Sequence, residues 1–426
     1  MYISCNFKTH RKIKSLSFAP EVDILGNELA VNEFRCELIT DDEIPIGKYA
    51  ALYDENSKPW AVYRITEAQR LSPHTVTIKA QSDILILDRK KLPAQMCVNA
   101  SAKTLIAECF TSFGLFYEID DNVSDANING YLPEQSARER LQWLCFVIGA
   151  YVKSFFVAMC TIKKIDNTTT NIPFNKTFYR PKISYKDYVT AVTATAYSYA
   201  EGTPGSTDKW VKVGNKTYIQ TSQTASLSNS DVPANTPDNI IDLSNITIVN
   251  DSNISSILQR LAAEYFNREQ LTADILNTYG EVQPADKVQV SDDIGNVITG
   301  YVKSARFTFG KAAKSAIVLT QTVTEKAVKV VLSYRYLTNI EIARETFYFP
   351  KNTAFELENS YVDTTEQGLR RVYLPLTEKT TGNTGEREVT EKKVNCDIAL
   401  EFKDNILDIL SVDSANKNDS EVVIIA

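Results

Sequence analysis

Residues 136–160 read SARERLQWLCFVIGAYVKSFFVAMC, and the twenty positions from Leu141 to Cys160 carry one formal charge, Lys153. Two readings compete: a helix crossing a bilayer, or a core helix followed by a core strand. A span needs about 20 apolar residues in one uninterrupted helix. Here Ser136 and Glu139 form a capping box, and Ala137, Leu141, Leu144, Cys145 and Ile148 recur at helical spacing before Gly149 supplies a stop. This predicts a helix of about four turns over 136–149. After the glycine, AYVKSFFVAMC is β-branched and aromatic, which predicts a buried strand, with TIKKIDNTTT as strand end and polar loop. Cap, glycine and lysine divide the stretch, and its hydrophobicity reads as burial in a protein core.

Upstream of this stretch, Ser101 is a candidate N-cap for a helix whose face is Leu105, Ile106, Cys109, Phe110 and Phe113. Gly114 ends it and LFYEID follows as a strand. Residues 93–180 therefore form an α+β module. Residues 1–92 read as all-β: FRCELITDD, IGKYAALYD, WAVYRITEAQR and HTVTIKAQSDILILD are alternating or apolar runs separated by DDEIP, DENSKP and LSP. Their spacing predicts a small barrel or sandwich.

Downstream, residues 181–325 return to β structure. DYVTAVTATAYSYAEG is a long alternating strand, and the Ser-, Thr- and Asn-rich stretch 217–239 reads as a surface excursion. One helix is predicted between NDSN and NTYG. Its stripe is Ile254, Ile257, Leu258, Leu261, Tyr265 and Phe266, with Arg260, Glu264, Arg268 and Glu269 toward water. DKVQVSD, DIGNVITGYVKSARFTFG and SAIVLTQTVTE close this region as strands. Residues 326–426 form a separate unit: VVLSYRYL, RETFYFP, LRRVYLPLTE and KKVNCDIALEF around the loop KTTGNTGERE predict a β-sandwich-like domain. The fold class is mainly β with an α+β insertion.

The 426 residues, 43% apolar and 23% charged, have an ordinary globular composition, sufficient for roughly three or four domains. Fifty-three acidic against 46 basic residues give a net charge of -7. With no dominant basic block, that argues against a surface built to neutralise nucleic-acid phosphates. The seven cysteines (Cys5, Cys36, Cys97, Cys109, Cys145, Cys160 and Cys396) are odd in number and scattered. Without a C-x-x-C pair they read as reduced, mostly buried thiols of a protein folded in a cytosol. The opening MYISCNFKTHRKIK lacks the apolar core of a secretory signal.

Little catalytic chemistry is indicated. The only histidines, His10 and His74, sit in the first β region outside any metal-binding spacing. Cys97 is the one thiol following His74 closely enough to suggest a Cys–His pair. Phosphate-binding and nucleophile-elbow motifs are missing. The carboxylate pairs Glu366 with Glu378 and Asp120 with Asp121 could serve acid–base work only if the fold positions them, and abundant acidic residues are usual on a soluble surface. The 21 tyrosines and 18 phenylalanines fit β cores, or partner and sugar recognition in the last domain. No catalytic, cofactor-binding or metal-binding residue is assigned.

The order of these elements carries a resemblance. HTVTIKAQSDILILDR closing a first β domain, the module with SARERLQWLCFVIGAYV, the strand YVTAVTATAYSYAEG and the block SNISSILQRLAAEYFNREQLTADIL before DKVQVSDDIGNVITGYVKSARFTFG together resemble a phage tail hub. The similarity is to the baseplate hub family of contractile phage tails, PBSX-type defective prophages and phage-tail-like bacteriocins, over residues 1–325. It rests on apolar spacing and element order, and residues 326–426 depart from it.

The resemblance implies a homotrimer in which each chain contributes two tail-tube-like β-barrel domains, residues 1–92 and 181–325. Three chains would then adapt a hexameric tail tube to a central spike, in contact with tape-measure and baseplate wedge proteins. It implies a virion or phage-tail-like particle assembled in the bacterial cytoplasm, with no cofactor and no catalytic residue. An adapter of this kind needs two similar interfaces per chain, since closed rings are built from repeated surfaces. An acidic balance would also let DNA or a tape-measure protein pass without sticking. The alternatives are a hub carrying a cell-wall hydrolase in its last hundred residues, or a sugar-binding adhesin there.

Overall fold

The computed structural model describes residues 1–324 apart from 7, 278–279, 293–295 and 310–313, and from 325 onward the backbone of the strands alone. The chain divides into two compact units, residues 1–289 with 299–322 and residues 290–298 with 323–426.

The first unit opens with β1 (Tyr2–Cys5), β2 (Lys8–His10), β3 (Ile13–Phe18), β4 (Glu33–Ile39), β5 (Tyr49–Tyr53), β6 (Pro59–Ser72) and β7 (Thr75–Gln81). Period-two burial builds this first lobe: Phe34, Cys36 and Leu38 of β4 lie opposite Ala80, Ile78 and Val76 of β7, all six buried. The apolar run after Gln81 does not continue as a strand. Asp83–Asp88 is a 3-10 turn that buries Ile84 and Leu87.

The module comprises β8 (Lys91–Leu92), β9 (Gln95–Ser101), α1 (Ala102–Thr111), β10 (Tyr117–Ile119), β11 (Asn127–Leu132), β12 (Gln135–Ser136), α2 (Ala137–Ile148), β13 (Ala150–Lys153) and β14 (Cys160–Lys164). Both helices start as expected. Ser101 Oγ accepts from the Thr104 N–H and Ser136 Oγ from the Glu139 N–H, at 3.1 Å each. Gly149 ends α2 in the left-handed conformation, φ +68°. The strand expected over 150–160 is two strands. β13 and β14 pair antiparallel, and between them Phe156 turns to φ +55° and donates its N–H to the Trp60 carbonyl (2.8 Å).

The unit continues with β15 (Thr169–Ile172), β16 (Lys182–Tyr185), β17 (Ala191–Glu201), β18 (Lys209–Val213), β19 (Lys216–Ser228), β20 (Ile240–Leu243) and α3 (Ile254–Tyr265). It closes with β21 (Glu269–Leu276) and with most of β22 (Lys287–Ser291), β23 (Val297–Thr308) and β24 (Lys314–Glu325).

Three expectations need correction here. Much of the Ser/Thr-rich stretch 217–239 is strand β19, paired with β17 residue for residue from Ala191↔Ser228 to Glu201↔Tyr218; threonine favours strands, and the exposed position accommodates its polarity. The predicted helix stops at Tyr265, because Glu269–Leu276 pairs with β24 instead. Nor do Arg260 and Glu264 face water: Arg260 donates to the Phe146 carbonyl (2.7 Å), and Glu264 accepts from Thr320 and Gln321 at 2.6 and 3.1 Å.

A 13-stranded sheet follows the path β16-β21-β24-β23-β3-β4-β7-β6-β5-β1-β2, with β15 and β22 off this path. It joins the first lobe to a second lobe made of β16, β21, β23 and β24. The four-stranded sheet β18-β19-β17-β20 lies beside the module. Its β17 residues Val192 and Ala194 share one core with Ile257, Leu258 and Leu261 of α3 and with both module helices. That core crosses the 180/181 line drawn from composition. Among the described residues, no helix is long and apolar enough to cross a membrane.

In the second unit, β25 (Val328–Arg335), β26 (Glu341–Phe349), β27 (Tyr361–Thr364), β28 (Leu369–Glu378), β29 (Lys392–Glu401), β30 (Ser411–Asp413) and β31 (Glu421–Ile425) form two sheets. Their orders are β26-β25-β31-β30 and β27-β28-β29. The expected strands are present, and the loop KTTGNTGERE lies outside the described residues.

Candidate functional site

The feature that sets this architecture is the seam where two β lobes of one chain become one sheet. It is narrow. Phe18 of β3 pairs with Phe307 of β23, Glu21 bridges Ser304, the Ala305 N–H donates to Pro20 (3.1 Å) and the Val22 N–H to Lys303 (2.9 Å). Pro20 has no N–H, so the ladder loses a donor at its centre.

Aromatic packing reinforces this thin ladder. Phe18 stacks on Phe307 with ring centroids 5.8 Å apart, and Trp60 meets Phe156, Phe307 and Phe309 at 4.8, 4.9 and 5.1 Å. Phe18, Trp60 and Phe307 are buried. Edge-on and offset contacts at these separations add to the area term. Buried Asn32 ties the seam to the module: it accepts from the Glu21 N–H (2.8 Å) and donates to Ser154 Oγ (3.0 Å).

Beside the seam lies a cavity of about 320 Å³ lined by Glu21, Asp23, Glu28, Lys186, Glu264 and Lys303, among others. Burial raises the Asp23 carboxyl, against the lowering effect of N–H bonds from Leu25 and Glu28. In the module, Lys153 Nζ donates to Gln283 Oε1 (2.8 Å). Burial pushes its pKa down to about 8, with Lys163 adding to the effect.

No protein-family model matches the chain, and no curated protein matches it either. Solved structures do. The tail protein from Neisseria meningitidis MC58 superposes with a TM-score of 0.53 at 12% identity, over 75% of this chain and 95% of its own. The 43 kDa tail protein of prophage MuSo2 from Shewanella oneidensis gives 0.54 at 11%, over 75% and 97%. Prophage tail protein gp18 from Listeria monocytogenes EGD-e gives 0.50 at 11%, over 75% and 93%.

The chain has the fold of prophage tail proteins.

Within this tail-protein fold the residues considered for catalysis lie apart. His74 is exposed at a tip of the first lobe, its Nδ1 on Asp41, and His10 is buried near Asp42. Cys97 lies in β9 opposite Gly130, inside the module core, so His74 and Cys97 are not brought together. Burial pushes the Cys5 and Cys97 thiols up to about 11 and those of Cys109 and Cys160 up to about 12. All four stay protonated at neutral pH and are poor nucleophiles. The six described cysteines are free and buried.

Asp120 pairs with Lys163 (2.9 Å), an ordinary half-buried ion pair near the surface. Glu366 lies outside the described residues, as does the side chain of Glu378. Among the described residues, no three His, Cys, Asp or Glu side chains are grouped to hold a metal. What this arrangement can do is mechanical: it fixes two β lobes to one another. Sequence reasoning missed the seam. The aromatic pair in ARFTFG was its visible trace, but nothing local names Phe18 as the partner of Phe307.

Proposed function

We propose that this protein is a structural hub of a phage-type tail: a homotrimeric adapter in which three chains present two β lobes each toward a sixfold tail tube and a threefold face toward a central spike. The observation that supports this most is the continuous sheet through the Phe18–Phe307 seam, which makes one chain supply two joined β lobes. A ring of three such chains offers six lobes to a sixfold partner. The fold shared with tail proteins supports the same reading. In it, residues 1–92 and 181–325 supply the tube-like lobes and 93–180 the module between them. Residues 326–426 form a terminal domain on the particle, whose further partners are tape-measure and wedge proteins.

The test is the mass and symmetry of the purified full chain, alone and with the tube and spike proteins of the same particle. Three copies, and a complex holding tube and spike together, are expected. A chain that stays single at every concentration and joins neither sinks the hub. Release of soluble fragments from purified peptidoglycan by the full chain would sink the purely structural part of the reading.

A further inference from the structure

Strand β16 is the outermost strand on the main path of the large sheet, and all four of its residues are exposed. Among the described residues its one neighbour is β21. The Lys186 N–H donates to the Arg268 carbonyl (2.9 Å), so by antiparallel alternation Lys182, Ser184 and Lys186 point their backbone groups at β21. Ile183 and Tyr185 then point theirs outward, with side chains 40% and 64% exposed. Such an edge is a template for another strand. It is also basic. Residues 174–188 carry Lys176, Arg180, Lys182 and Lys186 against Asp187 alone, within a chain of net charge -7.

One other open edge has the opposite character. From Thr217 to Gln259 the sequence contains no lysine or arginine, but it holds Asp231, Asp238, Asp242 and Asp251. Within this stretch, β20 forms one end of its sheet, and Ile240 is 51% exposed. The Asn239 carbonyl accepts from the Thr190 N–H of the β17 side (2.8 Å), so the backbone groups of Ile240 and Asp242 face away from β17.

We propose that the β16 edge of one copy of this chain takes the β20 edge of a second copy as an added parallel strand, with Lys182 meeting Asp238 on one face of the joined sheet. The contact joins two different edges, so it is head-to-tail and repeats around a closed ring. It rests on the reading of the chain as a homo-oligomer and names the surfaces that would build it.

Sedimentation of the full chain tests it. Lys182→Glu and Asp238→Lys should each weaken self-association roughly tenfold or more, and the two in one chain should restore it, because every contact then regains an opposite pair. Ile183→Pro should weaken it with no change of charge, since it removes an outward N–H and leaves the bonds to β21 in place. Unchanged circular dichroism and melting temperature identify variants that fold. Wild-type-like assembly by both single variants, or a double variant no better than either, overturns the edge pairing while the hub reading stands. A wild-type chain that remains single sinks both.

Discussion

At the scale of single residues, Lys153 first argued against a membrane helix, and it also has a measurable consequence. Its ordinary pKa of 10.5 falls to about 8 in the folded chain because burial disfavours the charge. Below pH 8 both folded and unfolded chains hold the proton, and the folded state bears the full cost of a buried ammonium. Between about 8 and 10.5 the folded chain gives up its proton first, so this site adds stability as pH rises. Lys153→Met should therefore be more stable than wild type by about 1 kcal/mol at pH 7, with the gap closing by pH 10. Denaturant titrations of both proteins at each pH check this. The difference between them is the readout, since the buried thiols titrate in the opposite sense.

Glycines at two positions are equally specific. A Cβ on Gly26 would lie 2.4 Å from the Ala150 carbonyl oxygen, with φ at +71°. Gly26→Ala should cost about 2–4 kcal/mol, read as a lowered melting temperature. A Cβ on Gly149 would come within 3.0 Å of the Arg260 guanidinium. Sequence reading identified Gly149 as a helix stop and placed Arg260 in water. The stop is a local property of the backbone. The direction of Arg260 is set by the carbonyl end of α2, which comes from another part of the chain.

At the scale of elements, what was legible follows the same division. The helices at 102–111 and 137–148 could be read because caps and apolar spacing lie within one turn of each other. Ser136→Ala should cost about 1 kcal/mol through the lost cap, measured by thermal unfolding, with Ser136→Thr, which keeps the hydroxyl beside Asp88, closer to wild type. Errors fell where local pattern and tertiary pairing disagree. SDILILD has the composition of a strand, but it folds as a 3-10 turn with Ile84 and Leu87 inward. EQLTADIL continues a helical pattern, but its backbone is claimed by β24. The Ser/Thr-rich β19 has little apolar signal, because the β17 ladder orders it and no buried face does.

At the scale of the whole molecule, the succession of β region, module and β region was visible in composition, and the fusion of the two β regions was not. A hydrophobic period shows that a strand has a buried face but carries no information about its neighbour. The seam makes its own prediction. Phe307→Ala removes a buried ring (3% exposed) that touches Phe18, Trp60, Phe156 and Phe309. It should cost about 3–5 kcal/mol. Limited proteolysis should show cuts near residues 19–24 before the module is lost. Uniform destabilisation with no early cut there would show that the two lobes do not depend on the seam.

The seam also sets an order of events during synthesis. Phe18 leaves the ribosome early and Phe307 late, and at typical rates of about 5–20 residues per second the interval between them is roughly fifteen seconds to a minute. Throughout that time the outer edge of β3 lacks its β23 neighbour and Phe18 lacks the ring that stacks on it. A chain stalled or cut before β23 would display an unpaired strand beside an aromatic surface, the combination most prone to wrong pairing with another nascent copy.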